Sequence, residues 1–138
     1  MEFKLTTLSD LKKIPSVLSS DELNYFMDIL LSYIESNTNS SAIDNATAIN
    51  DLLGCLAYGE GALSTDICTR ILDWTKKYYD ETDIDLIDCL TSNLAYLDNA
   101  ETKEYLLFLI GRSKDDREKE ELKSTLEEIQ NRQDQYNK

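Results

Sequence analysis

Residues 48–58 read AINDLLGCLAY, and the same apolar pattern returns 38 residues later as LIDCLTSNLAY at residues 86–96. Superimposing the two copies places Leu52 on Leu90 and Leu56 on Leu94. Each copy belongs to a longer unit of two segments with apolar side chains at helical spacing, joined by a short polar link. Such units are typical of helical hairpins that bury their apolar faces against neighbouring copies. The repeat therefore predicts an all-α protein built from stacked helical hairpins.

Apolar spacing along the rest of the chain predicts about seven helices in a single domain, residues 1–138. We expect hairpins at about 7–36, 44–79 and 84–110, followed by a capping helix at about 114–132. No segment alternates polar and apolar residues over the length of a strand, so no sheet is expected. A repeat of about 40 residues is typical of HEAT and armadillo proteins, which makes the predicted fold a short α-solenoid.

Capping and breaking residues predict where the individual helices begin and end. Ser19 and Glu22 have the spacing of a capping box, which begins a helix at about residue 21. Asp83 is a suitable N-cap for a helix at about 84–97. We expect the third helix, about 44–58, to end before Gly59 and the sixth, about 101–110, to end before Gly111.

Acidic residues outnumber basic ones by 27 to 14, and the formal net charge is −13. The imbalance is patterned, since no Lys or Arg occurs from residue 14 to residue 69. A field of this sign repels nucleic acid and anionic lipid and attracts basic partners. The acidity has a second interpretation, which is that it only keeps the protein in solution.

The sequence lacks the residue patterns of most catalytic and cofactor sites. It contains no His, which excludes His-based general bases, nucleophile triads and metal ligands. It has no CxxC pair and no phosphate-binding glycine loop, and the acidic run at 80–85 lacks the turn glycine of a calcium loop. We therefore expect no enzymatic activity, no cofactor and no metal. No secretion signal or membrane-spanning run is recognisable either, so a cytoplasmic protein is predicted.

Two tyrosines, Tyr58 and Tyr96, occupy matching positions in the repeat and are surrounded by carboxylates. They could pack at the rim of the core, or they could anchor a protein interface, where Tyr is enriched. On the second interpretation we predict a partner-binding surface of acidic and aromatic residues: Asp51, Tyr58, Glu60, Asp85, Asp88, Tyr96 and Asp98.

The two copies, centred on Leu56-Ala57-Tyr58 and Leu94-Ala95-Tyr96, resemble small all-helical, HEAT-like immunity proteins. These belong to bacterial polymorphic-toxin and contact-dependent growth inhibition systems. The resemblance implies a protein that binds one cognate toxin domain in the cytoplasm and blocks its active site, without catalysis of its own. An acidic protein suits a basic, nuclease-like toxin. A helical-repeat adaptor for basic proteins or peptides, or a nucleic-acid mimic, are the alternatives. No nucleic-acid or membrane partner is expected, and a monomer is favoured.

Overall fold

The structure is a computed structural model that describes residues 4–36, 41–55, 63–97 and 99–136. These residues form one 3-10 helix and six α-helices, and no β-strand occurs among them. The 3-10 helix is Leu8–Lys13, and the α-helices in chain order are α1 (Ser20–Ser36), α2 (Ala42–Leu53), α3 (Thr65–Tyr78), α4 (Ile84–Leu94), α5 (Ala100–Arg112) and α6 (Asp116–Tyr136). The predicted all-α class is confirmed, whereas the stacking of hairpins into a solenoid stays a prediction.

Each α-helix begins next to a short polar side chain that accepts a hydrogen bond from a backbone N–H of the first turn. The acceptors are Ser19, Ser41, Ser64, Asp83, Asn99 and Asp115. The predicted capping box is present, because the Ser19 N–H also donates to the Glu22 carboxylate at 3.1 Å. A cap of this kind contributes about 1 kcal/mol to stability. Local sequence thus determines where the helices start.

Three predicted helix ends are wrong. α2 ends at Leu53 and not at residue 58, because the Cys55 N–H bonds to the Leu52 carbonyl in a tighter turn. Gly59, the predicted stop, lies outside the described residues. α4 ends at Leu94 and not at residue 97, again through a tight turn. α5 continues through Gly111 to Arg112, since a glycine without positive φ does not interrupt a helix.

The chain divides into two compact units, Met1–Ile71 and Leu72–Lys138, and the division falls within α3. In the first unit α1 packs against α2, and the Leu18 N–H donates to the Cys55 carbonyl at 2.7 Å. Its fully buried side chains include Leu23, Leu30, Leu31, Ile49, Leu53 and Ile71. The core of this unit therefore comes from the predicted apolar stripes of its helices.

In the second unit α6 packs against both α4 and α5. Fully buried side chains from all three helices meet there, among them Ile87, Leu90, Leu94, Leu106, Leu109, Leu122 and Ile129. Of the leucines that the repeat predicts to be buried, Leu52, Leu90 and Leu94 are buried, and Leu56 lies outside the described residues. Trp74, on the part of α3 in this unit, is only 6% exposed, and its ring centroid lies 5.0 Å from that of Tyr78.

Leu90→Ala should lower the free energy of unfolding by about 2–5 kcal/mol, because the side chain is fully buried and its loss leaves a cavity. Leu107→Ala removes the same atoms from an exposed position on α5 and should change stability by less than about 0.5 kcal/mol. Urea denaturation followed by circular dichroism measures both variants. Equal losses in the two would contradict the placement of Leu90 in the core.

Gly111→Ala should raise the free energy of unfolding by about 0.5–1 kcal/mol, since glycine is a poor residue within a helix. A Cβ at this position would have no heavy atom within 4 Å among the described residues, so alanine fits without a clash. The same denaturation experiment tests this. A loss of stability would mean that α5 does not continue through residue 111.

Candidate functional site

The structure describes four of the seven residues predicted to bind a partner. Asp51 is exposed in the last turn of α2, in the first unit. Asp85 and Asp88 are exposed on α4, and Tyr96 follows that helix, in the second unit. Tyr58, Glu60 and Asp98 lie outside the described residues. The partner-binding role of all seven stays a prediction.

The outer face of α4 and the residues just after it carry Asp85, Asp88, Ser92 and Tyr96. Spacings of three or four residues place side chains on the same side of a helix. All four are exposed, and Tyr96 retains 40% of its accessible surface. The opposite face of α4 is buried through Ile87, Leu90 and Leu94. We call Asp85, Asp88 and Tyr96 the acidic face of α4.

Asp88 also contacts an acidic residue on α6. The Glu121 carboxyl forms a hydrogen bond with Asp88, which raises the pKa of Glu121, and partial burial and the negative charge of Asp88 raise it further. Arg117, four residues before Glu121, opposes this shift. Two neighbouring carboxylates repel each other when both are ionised, which favours the protonated form of Glu121. The acidic face of α4 therefore continues onto α6 through Glu121, a residue that the repeat pattern did not point to.

Asp51 carries negative charge at the end of a helix that is already electronegative. The carboxyl end of an α-helix has a partial negative charge, which favours Lys or Arg in the last turn. α2 has no basic residue in its last turn. α1 and α4 also lack one, but arginines from other helices reach their carboxyl ends. Arg70 contacts the Glu35 carboxylate at 3.2 Å, and the Arg132 guanidinium donates to the Ala95 carbonyl.

A buried carboxylate, Glu118, joins three segments of the second unit. The Tyr79 hydroxyl donates to one of its oxygens at 2.6 Å, and the Ser113 hydroxyl donates to the other. Burial, followed by the hydrogen bond to Glu118, raises the pKa of Tyr79 well above its usual range, so this hydroxyl keeps its proton. Both carboxylate oxygens are thus occupied by hydroxyl donors. Glu118 is accordingly a structural acceptor and not an available general base.

A second surface, on α5, was not predicted. An open groove of about 500 Å³ is lined by Lys76, Tyr79, Glu101, Glu104, Tyr105, Phe108 and Arg112. The rings of Tyr105 and Phe108 stack with their centroids 6.5 Å apart, and the Arg112 guanidinium lies 5.2 Å from the Phe108 centroid. The sequence does contain a signal, because residues 106–110 read LLFLI. Five consecutive apolar residues cannot all lie on one face of a helix, so some must be exposed.

Two further observations bear on function. Within the described ranges, no group of three or more Cys, Asp or Glu side chains is arranged to hold a metal ion. No described helix is both long enough and apolar enough to cross a lipid bilayer.

The chain matches no protein-family model, and comparison with curated proteins and with solved structures found no match. What the surface residues do must therefore follow from their geometry and charge.

Glu121→Gln should raise the melting temperature at neutral pH, because it removes one of two repelling carboxylates. The raised pKa of Glu121 means that the folded state binds this proton more tightly than the unfolded state. The stabilisation that this proton gives the folded state is complete below the pKa that Glu121 has in the unfolded chain. It is lost as the pH rises through the raised pKa that Glu121 has in the folded state. The gain should stay within about 1 kcal/mol, since solvent screens a pair that is partly exposed.

Thermal denaturation between acidic and neutral pH measures this effect. Glu120→Gln removes the same charge from an exposed neighbour on α6 and serves as the control. The advantage of Glu121→Gln over this control should shrink as the pH falls. An advantage that does not change with pH would contradict the raised pKa of Glu121.

Proposed function

We propose that this chain is an immunity protein, which binds a basic toxin domain in the cytoplasm and blocks its active site without catalysis of its own. The acidic face of α4 supports the proposal for the second unit, and Asp51 supports it for the first. A partner with cations at its active site, such as a nuclease-like domain, is complementary to both. The toxin is the cognate partner that the resemblance to helical immunity proteins implies.

The observation that carries the proposal is negative charge at positions where the fold gains nothing from it. Many acidic residues have a local structural reason, since Asp44, Asp66 and Asp85 lie in first turns, where the helix dipole favours them. Asp51 and Asp88 have none. Asp51 adds charge to an electronegative helix end, and Asp88 raises the pKa of a neighbouring carboxyl group. A basic partner would relieve both repulsions.

The cations of the protein do little to neutralise this charge. Among the described residues three carboxylates form ion pairs, those of Asp10, Asp28 and Glu35. Asp51, Asp85 and Asp88 are in none of these pairs and remain exposed. Tyr96 adds an exposed aromatic ring just after the end of α4, which suits an anchor next to acidic residues.

The proposal predicts that the gene immediately upstream encodes a secreted protein with a toxic C-terminal domain, and the test uses that domain. Co-expression of the chain should restore growth to cells that produce this domain. Surface plasmon resonance should show direct binding with an association rate that falls as salt rises from about 50 to about 500 mM. The screening length falls from ~14 to ~4 Å over that range. Asp85→Lys with Asp88→Lys should slow association and weaken protection.

Glu120→Lys with Glu127→Lys is the matched control, because it changes the net charge equally at exposed positions of α6. This control should protect cells nearly as well as the wild type. The proposal is wrong if the Asp85 and Asp88 variant binds and protects like the wild type, or if association is insensitive to salt. Binding to several unrelated basic peptides, without protection from a toxin, would favour the adaptor function instead.

A further inference from the structure

The exposed face of α5 has an apolar centre. Leu107 and Phe108 are 56% and 58% exposed, although both are large apolar side chains. The other side of the helix is buried through Leu106 and Leu109. The ring of Tyr105, one turn earlier, stacks on that of Phe108 but is partly buried, and the Lys76 ammonium lies 5.5 Å from its centroid. Adjacent apolar side chains left in contact with water are typical of surfaces that another protein covers.

Charges flank this apolar centre with opposite signs at its two ends. Glu101 and Glu104 precede it, and Arg112 ends the helix after it. Within the part of the chain that the structure describes, neither Glu104 nor Arg112 forms an ion pair. Read from one end of α5 to the other, the face is therefore acidic, then aromatic, then cationic. Such a pattern is complementary to itself when its direction is reversed.

We propose that α5 pairs with α5 of a second copy of this chain, with the two helices antiparallel about a two-fold axis near Phe108. In an antiparallel pair, the residue numbers of two residues that face each other always add up to the same total. An axis near Phe108 sets this total to twice its residue number, so Phe108 of one copy lies beside Phe108 of the other. Glu104 of each copy then faces Arg112 of the other, and this ion pair forms twice. A two-fold interface uses the same patch on both copies, as this register requires.

Gly111 fits the same register. It faces Tyr105 of the second copy, because the positions 105 and 111 have the same sum as 104 and 112. A Cβ at Gly111 would have no described heavy atom within 4 Å, so the helix surface is open there. The absence of a side chain allows an aromatic ring to approach the backbone closely. Glycine is a poor residue within a helix, and this close approach of the two helices gives a reason for the single glycine of α5.

The dimer should be weak. A helix of 13 residues is about 20 Å long, and one pair of such helices forms an interface at the small end of the range for specific complexes. Each copy also carries a net charge of −13, which opposes association. We therefore expect dimers at high micromolar to millimolar concentration, in contrast to the monomer that the sequence alone favours. The acidic face of α4 does not take part, so the inference is independent of the proposed function.

Sedimentation equilibrium at physiological ionic strength, from micromolar to millimolar protein, tests the proposal. The wild type should show a reversible monomer–dimer equilibrium. Glu104→Arg and Arg112→Glu should each weaken it about tenfold or more, since two favourable pairs become repulsive. An equimolar mixture of these two variants should form heterodimers more readily than either variant associates alone, because both pairs are then attractive again.

Glu127→Arg and Lys123→Glu make the same charge changes at exposed positions of α6, and their dimerisation should match the wild type. Circular dichroism and melting temperature establish that each variant is folded, which is expected because Glu104 and Arg112 are exposed. A wild type that remains monomeric at millimolar concentration overturns the proposal. So does a mixture of folded Glu104→Arg and Arg112→Glu chains that forms no heterodimer.

Discussion

Negative charge at the carboxyl ends of helices is the constraint that this fold has to meet with few cations. α1, α2 and α4 have no basic residue in their last turns. Arg70 reaches from α3 to Asp28 and Glu35 on α1, and Arg132 reaches from α6 to the carbonyl that follows α4. These arginines both neutralise charge and connect helices that are distant in sequence. No arginine reaches the acidic residues Asp51, Asp85 and Asp88 in this way among the described residues, and the proposed function depends on their negative charge.

Sequence determined the starts of the helices better than their ends. Ser19 with Glu22, and Asp83, act through hydrogen bonds within three residues, so their effect is visible in the local sequence. Helix ends depend on weaker signals. Gly111 is a predicted stop but adopts a helical conformation, and α2 ends before Gly54, well short of its predicted end. The all-helical class and the buried leucines followed from periodicity, which averages over many residues and tolerates such errors.

The candidate surfaces also differ in how far the sequence predicts them. The exposure of Asp85 and Asp88 follows from their spacing along one helix, which the sequence contains, whereas Tyr96 lies beyond the end of that helix. The contact between Asp88 and Glu121 joins residues far apart in the chain, and no helical pattern predicts which acidic residue of α6 meets α4. The face of α5 lies between these cases, because the run at 106–110 requires exposed apolar side chains but does not identify them. Both α4 and α5 bury their inner faces against α6, which leaves two outer faces with different chemistry in one unit.

Trp74 gives the second unit its own optical signal. It is the single Trp of the chain, it belongs to the part of α3 assigned to that unit, and it is buried beside Tyr78. Its indole Nε1 is buried and has no hydrogen-bond acceptor among the described residues. Indole emission shifts to longer wavelengths when water reaches the ring. Fluorescence excited at the Trp band therefore reports the opening of the second unit. Far-ultraviolet circular dichroism reports the loss of helix in both units. A difference between the unfolding transitions seen by the two methods measures how strongly the units are coupled in unfolding.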